Sequence, residues 1–491
     1  MTSLPQVKSN EVPEGITVSK IFNIQVRVLD TRSDSAWSPV TAYTTSVASV
    51  NTARNEFDTY PIAIASLSMA PKIRKEIKVH YNHGSVHAAT IRPVALGINT
   101  LIEDNTILFT LDQRVDVMLE INNDKWQAVH LLTTEINTKE PTADTEGLWY
   151  FGPGVNNGSA YSKVHDGVLT VPSDTTIYLA RDAFLTAQVH FANSSNASIR
   201  GPGFIYREPY FAAGGAKPRE LAGGAILIER SSCILVENVT SLRSFGFSLP
   251  ICEGHNIHIN NYRSFSSCGN GDGIDLFCCS DVLIEHCFLR NSDDTIAIYG
   301  HRWDYYGDTK NVRVRNCTLL PDIAHPIQIG THGNPQKPET FSNIHISGID
   351  ILDHHENQLW YQGCIAINAA DENLIQDILI EDVRVEKITK GQLFNIRVMK
   401  NAMWTTAPGR AIKNLKLRNI VFDNTSSPTV NPSLIMGFDE SRKVEDVTFE
   451  NLRIGGQYVH SGMAKPRWYM VEDFVPLFVN EHVGDVVFKL T

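Results

Sequence analysis

Three aspartates and a histidine stand at intervals that would bring their side chains together: Asp272, the pair Asp293 and Asp294 that follows it by 21 and 22 residues, and His325, 31 residues beyond Asp294. Carboxylates crowded into one place cannot all ionise, so at least one holds its proton near neutral pH. A protonated carboxyl beside an ionised one is the equipment for splitting a glycosidic bond: one group protonates the leaving oxygen while the other activates water or attacks. For inversion the acid and base carboxyls are expected roughly 6.5–9.5 Å apart, a distance side chains splayed from neighbouring coils would span. A lone Asp-Asp pair is usually a solvated turn. The register argues otherwise, because the intervals match successive turns of a repeat. Asp275, three residues past Asp272, reads instead as a support for the turn or strand end.

That repeat is what must position the four residues. Asn or Asp, then alternating aliphatics, then a small polar residue recur as CILVEN at Cys233, NIHINN at Asn256, DVLIEH at Asp281, NVRVRN at Asn311, NIHISG at Asn343, DILIED at Asp377, NLKLRN at Asn414 and DVTFEN at Asp446, with a weaker NASIRG at Asn196. From Cys233 onward the spacings are 23, 25, 30, 32, 34, 37 and 32 residues. One short alternating strand per unit at such a period is the mark of a parallel solenoid, here a β-helix. A second strand follows in each unit, and the residues just before the first six of these are Phe247, Asp272, Asp294, His325, Gly363 and Gln392. Coils stacked about 4.8 Å apart therefore place Asp272, Asp294 and His325 in one surface column, with Asp293 beside it.

Residues 1–145 lack the repeat. Their alternating runs, KIFNIQVRVL, EIKVHYN, TILFTL and VDVMLEI, separated by Gly, Asn, Asp and Pro turns, predict an N-terminal antiparallel β-sandwich, followed over 146–491 by the parallel β-helix as catalytic domain. The polar stretch 139–147 reads as the linker, and the segment after Gly456, which loses the period, as a cap on the open end. Two excursions interrupt the coils near the column. They carry Trp303, Tyr305, Tyr306, Trp360 and Tyr361, flat rings suited to lie against sugar rings.

Composition narrows the partners. The chain has 491 residues, 42% hydrophobic and 20% charged, with a formal charge of −11, which disfavours a nucleic-acid partner and weakly favours a neutral over an acidic substrate. No apolar run approaches a membrane span. The N-terminus shows no basic region followed by an apolar core, so the expectation is a secreted protein if a signal was removed and a cytoplasmic one otherwise. All eight cysteines fall between Cys233 and Cys364 without a CxxC pair, which reads as free thiols stacked in the core; no metal and no cofactor are expected.

The segments NGDGIDLF, NSDDTIAIYG and AHPIQIG resemble the NTDGID, GDD and GHG motifs of glycoside hydrolase family 28, the polygalacturonase group, over about residues 148–455. The preceding sandwich, together with LFNIR and NLKLRN, is also similar to family 49, the dextranase and isopullulanase group. The resemblance implies a right-handed parallel β-helix and hydrolysis with inversion. It makes Asp293 the general acid, Asp272 and Asp294 the pair that activates water, and His325 the support of the acid's protonation. One departure bears on substrate. Polygalacturonases carry Arg-Ile-Lys on the next coil, where this chain reads GCIAIN with Ile365 and Ile367 in the place of the basic pair; Arg397, one coil later, substitutes only if the register shifts. A neutral α-linked polysaccharide or oligosaccharide such as dextran is thus favoured, with pectin as the alternative. A polysaccharide lyase on the same fold would need a basic residue on the column, and a non-catalytic carbohydrate-binding β-helix would have no reason to stack three aspartates.

Overall fold

The protein is described here by a computed structural model, covering residues 13–29, 35–51, 56–70, 73–135, 140–208, 223–423, 430–462 and 477–491. Position 139 of the expected linker, and 463–476 of the expected cap, lie outside these.

Two five-stranded sheets form the N-terminal sandwich. One runs Ser38–Val40, Phe22–Leu29, Arg74–Tyr81, Thr106–Leu111, Leu101–Glu103; the other runs Ala42–Asn51, Glu56–Met69, Asp124–Glu135, Val117–Ile121, Ala89–Arg92. Alternating residues fill the space between them: Ile24, Val26, Ile77, Val79 and Phe109 from the first sheet meet Ala63, Leu67, Leu119, Val129 and Leu131 from the second. Pairing is antiparallel except between Glu56–Met69 and Asp124–Glu135, which run parallel, a departure from the all-antiparallel expectation. The second sheet is apolar on both faces. Its other side, with Tyr43, Val47, Ile62, Met118 and Leu132, packs on Phe184, Phe204, Phe265, Phe288 and Leu352 of the following coils.

From Leu148–Phe151 onward the chain winds as a parallel β-helix. A 21-stranded sheet wraps two sides of the stack, and an 11-stranded sheet, from Val168–Val171 through Ile274–Phe277, Ile296–Tyr299, Ile327–Gly330, Ile365–Ala369 and Phe394–Val398 to Leu477–Val479, forms the third. The strands Leu477–Val479 and Val486–Lys489 pair in parallel with Ser433–Met436 and Val444–Glu450, so the end expected to cap the stack adds another turn to it. Inward positions stack in register, as in Leu249, Ile274, Ile296, Ile327, Ile365 and Phe394.

The first residue of each repeat explains the pattern. Asn196, Cys233, Asn256, Asp281, Asn311, Asn343, Asp377, Asn414 and Asp446 all have φ between 52° and 58°. These are left-handed bends at a corner of the coil, where Asn and Asp are tolerated better than other side chains. Their side chains also ladder: Asn311 donates to Asp281 (2.8 Å), Asn343 to Asn311 (2.7 Å) and Asn414 to Asp377 (2.6 Å). All eight cysteines are free thiols, mostly buried, with Cys233 exposed.

Candidate active site

Backbone bonds between coils stack the column: Gly273 N–H donates to the carbonyl of Asp294 (2.8 Å), and Thr295 N–H to that of His325 (2.9 Å). The glycines around Asp272 are required by close approach. A Cβ on Gly271 would lie 2.3 Å from Ser292 Oγ, and one on Gly273 2.3 Å from the carbonyl oxygen of Thr295. Beneath them a buried polar layer holds the turns, with Asn291 Nδ2 donating to Ser264 Oγ (2.9 Å) and Ser266 Oγ (3.1 Å), and Ser292 Oγ donating to the carbonyl of Cys268 (2.6 Å).

Asp272, Asp293 and Asp294 each offer a carboxylate oxygen within 4.8 Å of the others. This is closer than the separation expected for water held between acid and base, so spacing alone does not argue for inversion. The three are not equivalent. Asp294 accepts from the backbone N–H (2.8 Å) and Nδ1–H (2.7 Å) of His325 and from the hydroxyl of Tyr299 (2.9 Å). Burial opposes its charge, but the His325 cation and these bonds outweigh it and hold its pKa below the usual value. Asp293 accepts the backbone N–H of Asp294 (3.0 Å) but, among the described residues, no side-chain donor. Burial and then the charge of Asp294 push it up to about 8, so it keeps a proton at neutral pH. Asp272 is also raised, by burial and by Asp275, Asp293 and Asp294 in turn. Fully buried Asp275 leaves both carboxyl oxygens without a hydrogen-bond partner, as does Oδ1 of Asp272. A proton shared by this pair would join Oδ1 of Asp272 to one of the Asp275 oxygens.

His325 is a cation by geometry. Its Nδ1 faces the Asp294 carboxylate and its Nε2 faces the carbonyl of Tyr361, and since both partners only accept, both ring nitrogens donate. Burial opposes the charge, but Asp294, Glu356 and the Tyr361 carbonyl raise its pKa to about 9. The histidine is therefore bonded to Asp294 and not to Asp293, the acid it was expected to support.

The rings divide. Trp303 is exposed, its ring 5.6 Å from that of Phe277 and 6.3 Å from that of Phe247; Tyr306 and Trp360 are exposed as well. Tyr305 and Tyr361 are buried, contrary to their expected part as platforms. The hydroxyl of Tyr305 donates to Glu229 (2.6 Å), and the ring of Tyr361 stands edge-on to His325 at 4.7 Å. Arg397 spends Nη1 on the carbonyl of Trp360 (2.6 Å). Ile365 and Ile367 point into the core, as alternation along a strand demands, so the outward positions on that coil are Ala366 and Asn368. Neither is basic.

Four functional candidates escaped the sequence reading. Tyr299 is the outward residue closing the strand that Asp294 begins, and alternation points to it. Trp404 lies on a third excursion, its Nε1 donating to Gln358 (3.1 Å) and its ring 6.4 Å from Tyr361; a tryptophan in an insertion between strands is the same signal that marked the other two. Arg302 lies over the ring of Trp303 (4.9 Å) and donates to Nε2 of His332 (2.9 Å), its charge acting on Asp272. Buried Glu356 had no signal, because its loop has no fixed register.

The sequence profile of the glycosyl hydrolases family 28 matches residues 171–466, more than half of the chain. Two curated polygalacturonases are similar: one from Juniperus ashei, 24% identical over 232 residues (41% of this chain, 43% of that protein), and one from Chamaecyparis obtusa, 28% identical over 131 residues (26% and 24%). The matched stretches thus span less than half the length of either relative. Among solved structures, Dex49A from Penicillium minioluteum is similar over 97% of both chains, with a TM-score of 0.54 and 12% identity, a likeness of fold. Among the described residues no helix is long and apolar enough to cross a membrane.

Proposed function

Because the chain belongs to the glycosyl hydrolases family 28, we propose that it is an inverting glycoside hydrolase acting on an α-linked neutral glycan such as dextran. The observation that carries the hydrolytic reading is the split among three close carboxylates: Asp294 ionised against His325, Asp293 holding a proton. In this reading Asp293 protonates the leaving oxygen. Asp294 deprotonates the attacking water and Asp272 helps to orient it, while His325 keeps Asp294 charged.

The neutral substrate rests on Ala366 and Asn368, which offer no cation where a uronate carboxylate would be held, and on the exposed rings of Trp303, Trp360 and Trp404 around the column. The missing charge-assisted bond is worth about 1.5–3 kcal/mol. A second reading, a pectin hydrolase, draws on the name of the two curated relatives and on Arg302 beside the acids. Incubation with dextran and with polygalacturonate, the product anomers followed by proton NMR, separates them. Faster release from dextran with inverted anomers is expected. Faster release from polygalacturonate, with a Michaelis constant raised by Arg302→Ala or Arg397→Ala, moves the substrate to a uronan, and retained anomers end the inverting mechanism.

A further inference from the structure

His325 reaches its position through two segments, the turn ending at residue 325 and the strap over 353–363, and the N-terminal sandwich holds both. Ala324, next to His325, has φ 69°, a left-handed conformation that strains a residue bearing a Cβ. Its N–H donates to the carbonyl of His355 (2.7 Å) and its own carbonyl accepts from Nδ1 of His354 (2.9 Å). Nε2 of His354 accepts from the N–H of Gly363 (3.1 Å), so this imidazole is neutral and ties both ends of the strap to the turn. Over the turn, Ile323 and Ala324 pack against Ala48 and Val50 of the sandwich strand Ala42–Asn51.

One sandwich cation sits at the root of both segments. Lys125 Nζ lies 3.2 Å from Asp353, where the strap begins, and 3.5 Å from Asp322, where the turn begins. Asp353 in turn accepts from the backbone N–H of His354 (2.9 Å) and of Thr389 (3.0 Å). The strap then delivers the Tyr361 carbonyl to Nε2 of His325 and the carboxylate of Glu356 to its vicinity.

We propose that the sandwich is a working part of the hydrolytic centre: Lys125, Ala48 and Val50 are positioning residues that, through the turn and the strap, orient His325 and so keep Asp294 charged. This rests on the hydrolytic reading of the column. Lys125→Met should lower kcat roughly 10- to 100-fold on whichever of dextran or polygalacturonate the full chain cleaves better, since small misplacements near the chemistry cost that much. The Michaelis constant should change less than about twofold. Lys125→Arg should restore most of the rate, and Val50→Ala, which keeps the charges and loosens only the packing on Ala324, should lower kcat in the same direction. Asp116→Asn is the control. It weakens another clasp between sandwich and coils, the Asp116–Arg263 pair (2.6 Å), which touches neither segment, and it should lower Tm while leaving kcat unchanged. In protein labelled with nitrogen-15 histidine, His325 should show both ring nitrogens protonated at pH 7 and lose that signature in Lys125→Met, against the same neighbours Asp294, Glu356, Tyr361 and His354. A folded Lys125→Met with unchanged kcat and unchanged ring signature overturns the proposal. If the wild-type protein cleaves neither polymer, the substrate reading is what has failed, and the ring signature alone decides whether the sandwich positions His325.

Discussion

Asp293 and Asp294 are neighbours in sequence with opposite fates, and the difference lies in what each carboxylate accepts. Two donations from His325 and one from Tyr299 hold the pKa of Asp294 below the usual carboxylate value, and the field of that anion, added to burial, keeps its neighbour protonated. Asp293→Asn preserves shape and removes the transferable proton, so turnover should fall at least about 100-fold with the circular dichroism spectrum and Tm retained; a near wild-type rate would remove Asp293 from the mechanism. The same assignment fixes a sign in pH. The acid works only while protonated, so the rate should fall as pH rises through about 8, the value to which burial and Asp294 raise Asp293. A pH–rate profile flat between 7 and 9 would contradict it. At this scale the sequence was readable where register applied, which covers Asp272, Asp294 and His325. It was not readable for partners set by side-chain reach, which is why the bond from His325 to Asp294, through which it acts on Asp293, had no sequence signal, and why Tyr305 and Tyr361, read as rings on a loop, proved to be packed within it.

A strand here is specified twice, by alternation that sends every second residue into the core and by the residue at its corner. Alternation along Ile365–Ala369 turns the two isoleucines into the core and Ala366 and Asn368 to the other side of the strand, where both are buried, so these two, rather than the isoleucines, hold the place of the missing basic pair. The corner was visible as a recurring Asn or Asp before its cause was known. Its cause is a positive φ combined with a ladder bond to the coil below, as for Asn311, with φ 56° and a 2.8 Å bond to Asp281. Asn311→Ala forfeits the tolerance and both ladder bonds, to Asp281 and from Asn343, and should destabilise the protein by at least about 1–2 kcal/mol. Asn311→Gly, which adopts the bend freely, should cost less. Thermal unfolding of the two variants side by side checks the order, and equal losses would mean that the ladder bond, not the backbone, sets the preference. The excursions have no such grammar. Their lengths differ from coil to coil, so Glu356, Arg302 and Trp404 could be placed only by the fold.

At the scale of the whole molecule, the break in periodicity announced two architectures, while their union was invisible, because it depends on side chains separated by hundreds of residues. The second sandwich sheet buries its outer face on the coils, and buried ion pairs cross the same boundary. Arg92 makes one of these links. From a sandwich strand it donates to Glu120 (2.8 Å) within its own sheet and to Glu386 (2.7 Å) on the β-helix, and its remaining arm reaches the carbonyl of Leu352. Taking one carboxylate from such a site leaves a mostly buried guanidinium short of compensation, which costs up to about 3–5 kcal/mol. Glu386→Gln keeps the volume and removes the charge, so it should lower the stability of the entire chain and not of the sandwich alone. Calorimetry reads the difference directly. A single endotherm is expected for the wild-type protein, shifted as a whole to lower temperature in the variant; a wild-type trace that already splits in two, with only one part moving on Glu386→Gln, would mean that the sandwich and the β-helix unfold independently and that their contact is adhesion rather than a shared core.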